Sequence, residues 1–160
     1  MSKIIEIASN EIGYQEGANK SNKYGQWFGL NNVSWCGIFI SWCYAQAGYS
    51  LGRIDFMKGF ASVPFALNYF RNTQQITINP QAGDIVILDW KCKGGAEHVE
   101  LFERDLDDGH IVTIGGNTSS VNASNGGCVE RKIREKKFIT AYVHPKVLDA
   151  FEDTTKERLA

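Results

Sequence analysis

Ser34-Trp35-Cys36-Gly37-Ile38-Phe39-Ile40-Ser41-Trp42-Cys43-Tyr44-Ala45-Gln46-Ala47-Gly48 is the stretch on which the fold of this chain turns. A serine able to cap a helix stands before a run that is apolar nearly all round, and a glycine closes it, which predicts a helix buried on most of its surface. Its first turn holds Cys36, where the partial positive charge of a helix N-terminus favours the thiolate and lowers its pKa. Taken alone, a cysteine there reads first as a small core residue, as does Cys43 seven positions on, on the same face.

Upstream, Ser2 can cap a helix over residues 3–12, in which Ile4, Ile5, Ala8 and Ile12 recur at helical spacing before Gly13. Residues 14–34, rich in Asn, Gly and Tyr, read as an ordered loop with one helical turn and with Trp27 and Phe28 embedded in it. Downstream, a helix is expected over 63–71, with Ser62 as cap and Pro64 in the first turn, where a missing amide hydrogen does no harm. From residue 80 the pattern changes to short β-type runs at 84–90, 98–104, 110–114, 128–133 and 138–143. Helices first and strands afterwards predict an α+β fold, N-terminal helices packed on a C-terminal antiparallel sheet. One domain over 1–145 is expected, with a tail, 146–160, that adds a short helix or frays.

Composition narrows the function. The 160 residues, 43% hydrophobic, suffice for one ordinary core. Seventeen basic against eighteen acidic side chains leave a formal charge of −1, so no global attraction to nucleic acid or to an anionic membrane is expected. Glu6 interrupts the apolar stretch that a secretory signal would need, and Trp35 to Ala47 is shorter than the ~20 residues of a membrane span. The four cysteines, Cys36, Cys43, Cys92 and Cys128, form no Cys-x-x-Cys pair and are expected to be reduced. With His98, His110 and His144 they lack the ligand spacing of a structural zinc site, and neither metal nor cofactor is expected. The basic stretch Arg131, Lys132, Arg134, Lys136, Lys137 is interrupted by Glu130 and Glu135 and reads as a solvated sheet edge.

Catalysis comes into view when Cys36 is taken with two later residues. His98 opens one expected strand and Asn117 follows another, so that thiol, imidazole and amide come in the order nucleophile, base, orienting group. Glu100 competes with Asn117 for the third role, because two residues beyond His98 it shares a strand face; its ordinary reading is a surface glutamate.

Together, Ser34-Trp35-Cys36-Gly37 with Ala47-Gly48, Ala82-Gly83-Asp84-Ile-Val, Glu97-His98-Val99 and Gly116-Asn117-Thr118 resemble the CHAP family of cysteine, histidine-dependent amidohydrolases/peptidases, and the match runs from about residue 10 to 145. Asn22-Lys-Tyr24-Gly25-x-Trp27-x-Gly29 is similar to the bacteriophage lysins among them. The resemblance implies a papain-like fold and cleavage of amide bonds in peptidoglycan, with Cys36 as nucleophile and His98 as general base. Many members orient the histidine with a Glu that is followed two residues later by Asn; here Gly115 stands at the Glu position and Asn117 keeps the amide, while many relatives have Gly where Glu100 stands. Asn117 is therefore the expected orienting residue, with Glu100 as the alternative. Some relatives bind calcium just upstream of the cysteine through closely spaced aspartates; residues 14–35 contain no Asp, so no such site is expected.

Tyr24 and Asn32 are candidates for a side-chain oxyanion donor, and Tyr24, Trp27, Asn32 and Trp35 for substrate contacts. Trp90 could line the same groove, although aromatics in a small domain more often belong to the core. The leading expectation is a monomeric peptidoglycan hydrolase, a muramoyl-alanine amidase or an endopeptidase. As a phage endolysin or virion-associated lysin it would be made in the host cytoplasm and reach the wall after holin release or in the virion. The alternatives are a papain-like hydrolase of a free peptide and a catalytically silent wall-binding module, the latter suggested by Gly115.

Overall fold

The computed structural model describes residues 2–118 and 127–149. The hydroxyl of Ser2 accepts from the Ile4 amide at 3.2 Å and starts α1 (Lys3–Asn10), which buries Ile5 and Ala8. The segment expected to be mostly loop carries more helix than that. A 3-10 turn at Ala18–Lys20 is followed by α2 (Lys23–Phe28), which the Asn22 side chain caps by accepting from the Gly25 amide at 2.7 Å and Gly29 ends at a φ of 93°. A helix of six residues is too short for its apolar period to register in the sequence.

The central helix is α3 (Cys36–Gln46), and its N-cap is Trp35, which makes no side-chain cap bond. Ser34, the expected cap, lies one residue too early, and its hydroxyl serves Asn117 instead. The short β1 (Tyr49–Ser50) precedes α4 (Val63–Asn72), started as expected by Ser62, whose hydroxyl accepts from the Phe65 amide at 3.3 Å. The remaining elements are β2 (Ile76–Thr77), β3 (Ile85–Leu88), β4 (His98–Asp105), β5 (His110–Thr118), β6 (Cys128–Glu135), a 3-10 turn at Lys136–Phe138, β7 (Ile139–Val143) and β8 (Leu148–Asp149).

Six strands make one antiparallel sheet in the order β2-β7-β3-β4-β5-β6, and β1 pairs with β8 apart from it. The fold is thus the expected α+β arrangement, helices on an antiparallel sheet. Of the tail, Leu148–Asp149 forms a strand rather than a helix or a frayed end, because β1 offers it a pairing edge; the rest of that expectation, 150–160, lies outside the described residues. Among the described residues no helix is long and apolar enough to cross a membrane.

α3 packs on β4 and β5 and is flanked by α1 and α2. Ile38, Phe39, Ile40 and Cys43 are fully buried there beside Trp35 and Tyr24, whose rings stack at 5.3 Å. The approach of helix to sheet depends on Gly116: a Cβ at that position would lie 2.6 Å from the Trp35 ring and 2.8 Å from Phe39. Along β4 the side chains alternate, Val99 and Leu101 entering the core under α3 while Phe102 joins a smaller cluster with Val86, Leu88 and Ile111. Glu100 therefore turns away from α3.

β6 is an edge strand, as the basic stretch suggested, and most of that stretch is ion-paired at the surface: Arg131 with Glu103 at 3.0 Å, Lys136 with Asp105 at 2.7 Å, Lys137 with Glu135 at 3.2 Å. Arg134 departs from the expectation. It reaches inward to Glu100, and its side chain is only 17% exposed.

Candidate active site

Cys36 opens α3, so its backbone N–H belongs to the first turn, where amides lack an acceptor within the helix. His98 opens β4 on the neighbouring strand, after a loop that Asp89 holds in place. The Asp89 carboxylate accepts from the backbone amides of Gly95 at 2.9 Å, Lys93 at 2.9 Å and Lys91 at 3.0 Å, and these bonds hold its pKa down at about 2. That turn brings Trp90 beside His98, with ring centroids 6.0 Å apart and an interplanar angle of 31°.

The Cys36 thiol and the His98 ring meet. Burial pushes the thiol up, but the hydrogen bond and charge of His98, helped by the amides of Val99 and Gly37, outweigh it, and the net direction is down. Burial pushes His98 down, and its contacts with Cys36 and Glu100 outweigh that in turn, so the imidazole is raised. A lowered thiol beside a raised imidazole is the condition for a thiolate–imidazolium pair. Cys43 is the contrast within the same helix: burial and the charge of Glu11 push its thiol well up. Cys128 is also raised, to about 11, by burial and Glu130.

Behind the histidine stands Glu100. It is 0% exposed, which overturns its reading as a surface glutamate. Its Oε2 lies 3.6 Å from His98 Nε2, an ion-pair distance longer than a hydrogen bond, and Nε2 is buried with no hydrogen-bond partner. Arg134 grips the same carboxylate with two bonds, Nε to Oε1 at 2.6 Å and Nη2 to Oε2 at 3.1 Å, and the Thr113 hydroxyl donates to Oε1 at 3.2 Å. Burial raises the Glu100 carboxyl, and the nearby His98 ring together with the two bonds from Arg134 more than reverses this, holding it well below the usual range.

The other candidates fall elsewhere. The Asn117 amide donates to Ser34 Oγ at 2.8 Å rather than to His98, from a residue held at a φ of 53°. Trp35 and Tyr24 are 0% exposed and cannot touch a substrate: Trp35 Nε1 donates to Glu16 at 2.8 Å and the Tyr24 hydroxyl to Glu11 at 2.9 Å. Asn32 is exposed but donates to the Asn19 carbonyl at 3.0 Å, and Trp27 packs against the core with the Lys58 amine over its ring. The cleft beside His98 is instead lined by Ser34, Trp90, Glu97, Asn117, Thr118 and Arg134. Arg134 was hidden in the sequence by its charged neighbours; the usable signal was that a Glu on a buried strand face requires a cation.

A helix with a cysteine in its first turn, packed on an antiparallel sheet whose strand opens with a histidine, is the arrangement of a papain-like fold. The chain matches the CHAP domain family over residues 28–117, more than half its length, and belongs to that family, whose members are amidases and peptidases of peptidoglycan and typically depend on cysteine. No curated protein and no solved structure matches the chain.

Proposed function

We propose that this protein is a cysteine hydrolase of peptidoglycan amide bonds, of the phage-lysin kind, acting as a muramoyl-alanine amidase or as an endopeptidase. The observation that carries the reading is the Cys36–His98 contact at the start of α3, with the Glu100 carboxylate behind the imidazole. The lysin-like stretch around Asn22 and Trp27 supports the phage origin. Gly115, which favoured a silent module, does not leave the site without a carboxylate, because Glu100 supplies one.

With Nε2 turned towards Glu100, Nδ1 is the ring nitrogen left for the thiol. The Cys36 thiolate attacks the amide carbonyl, and the oxyanion that forms takes a hydrogen bond from the Cys36 amide at the helix N-terminus. The imidazolium gives its proton to the leaving amine as the C–N bond breaks. Water then loses a proton to His98 and attacks the thioester carbonyl, and the C–S bond breaks to release the carboxylic acid product and the Cys36 thiolate, which is left paired with the imidazolium for the next turnover. Ser34 and Asn117, bonded to each other at the cleft, are the polar groups on the side of the loop before Cys36 and replace Asn32 and Tyr24 as candidates for a second oxyanion donor. Trp90, 40% exposed, offers an apolar platform for the substrate.

The test is product identity. Purified walls from several bacteria are incubated with the protein and with protein alkylated by iodoacetamide, and the released fragments are identified by mass spectrometry. New N-termini on stem peptides are expected from an amidase and new termini inside the peptide or its bridge from an endopeptidase, in either case only with the unalkylated protein. Release of free reducing sugar without new peptide termini would refute the reading.

A further inference from the structure

We propose that Arg134 is a positioning residue of this hydrolytic site, acting through Glu100: the guanidinium fork and the empty space at Gly115 together hold the carboxylate against the His98 imidazole. The inference rests on the hydrolase reading and adds to it a residue on the edge strand whose hydrogen bonds go to Glu100 and Thr118.

Contacts with three residues fix the guanidinium. Besides its two bonds to Glu100, Nη2 donates to the Thr118 hydroxyl at 3.1 Å, and Cζ lies 4.8 Å over the Trp90 ring. A planar cation bonded on one edge and stacked on one face has one orientation, and it imposes that orientation on the carboxylate it grips. The opposite side is open by a missing side chain: a Cβ on Gly115 would stand 2.6 Å from Oε2, 2.7 Å from Cγ and 3.0 Å from Cδ of Glu100. Glu100 thus fills the volume in front of Gly115, and its carboxylate is located by Arg134 from β6 and by Thr113 from β5.

A second consequence is electrical. The titratable and charged groups facing Glu100 are His98 beside it on β4, Arg134 from β6 and, through His98, Cys36 from α3; β5 contributes Thr113 and Gly115. Burial favours the protonated acid, and Arg134 opposes that throughout the working range, whatever the state of His98. Without Arg134 the carboxyl takes up a proton at higher pH, by about 1–3 units for the loss of an adjacent opposite charge. A protonated Glu100 no longer holds the imidazolium.

The experiment compares wild type with Arg134→Gln, Arg134→Lys and Gly115→Ala, following wall clearing across pH and the rate at which iodoacetamide labels Cys36, with melting curves to set the folded fraction. For Arg134→Gln the acid limb of the rate profile is expected to move up by about one unit or more, with kcat down about tenfold to a hundredfold and little change in KM. Arg134→Lys restores the charge without the fork, so the limb returns near its wild-type position while kcat recovers only in part. Gly115→Ala keeps every charge and displaces the carboxylate; its kcat falls about tenfold or more with the limb in place. A structural role alone would scale the rate with the folded fraction and leave the limb unmoved, and that result in Arg134→Gln, or wild-type kcat in Gly115→Ala, overturns the proposal. If Arg134→Gln does not fold, the lysine and alanine variants decide by the same criteria. If wild type itself neither clears walls nor labels at Cys36, the hydrolase reading fails and this one with it.

Discussion

Glu100→Gln is expected to slow wall hydrolysis by about 10²–10⁴-fold, the range lost when a catalytic histidine keeps its place but loses the anion that orients it. The reason lies in the Nε2 contact at 3.6 Å, which only a carboxylate can hold against a cationic ring. Glutamine has nearly the same shape, retains one oxygen for Arg134 and offers His98 either a weaker dipole or a competing donor. Because the amide oxygen can still accept from the guanidinium, the stability loss should be about 2–3 kcal/mol, below the ~3–5 kcal/mol of a buried pair broken outright. Chemical denaturation measures that figure and wall clearing the rate. A variant within about threefold of the wild-type rate would remove Glu100 from the mechanism.

The same substitution tests the electrostatics. The Glu100 carboxyl is held down in the folded protein, by His98 and Arg134 against the pull of burial, so its contribution to stability is complete above the unfolded value of about 4.3 and is lost as pH falls through the folded value. Wild type should therefore lose stability below about pH 4.3 more steeply than Glu100→Gln, which has no proton to bind at that position.

Cys36→Ala is expected to abolish hydrolysis, with a loss of about 10⁴-fold or more, while changing the melting temperature little. In the proposed mechanism the sulfur is the atom that forms the acyl-enzyme, and a methyl group cannot take its place. Cys43 sits two turns along the same helix, but its thiol is pushed well up by burial and by the charge of Glu11. Cys43→Ala should keep the rate within about twofold and leave a small cavity in the core, at a cost of roughly 1 kcal/mol. Equal loss of activity in the two alanine variants would mean that packing of α3, and not the chemistry of Cys36, had been disturbed.

The helix, the sheet and the two candidate reacting groups were legible in the sequence because each leaves a local trace. α3 is apolar on all sides between a capable cap and a glycine, the strands are bounded by turn residues, and Cys36 and His98 sit at element starts. The orienting group was less legible. Asn117 has the right chain order, but the left-handed backbone at that residue delivers its amide to Ser34, and chain order carries no information about φ. Glu100 was weighed for its place on the His98 face, yet its burial depends on Arg134, 34 residues away on a strand whose charges look solvated. The aromatic candidates failed for a related reason: Trp35 and Tyr24 have polar atoms that read as functional, and those atoms are satisfied by Glu16 and Glu11 inside the fold. Long-range pairing of polar groups is what a period or a spacing cannot show.

The central claim is that Cys36 is a thiolate paired with His98, and the most direct measurement is the pH dependence of iodoacetamide labelling at each cysteine, located by mass spectrometry. Cys36 should label fastest and remain reactive below neutrality, ahead of the exposed Cys92, with Cys43 and Cys128 slow throughout. His98→Ala should move the Cys36 curve up, to the ordinary thiol value of about 8.5 or above it, because burial then acts without the imidazole to oppose it. Labelling led by Cys92, with Cys36 responding only at alkaline pH and unaffected by His98→Ala, would contradict the pair and the hydrolase built on it.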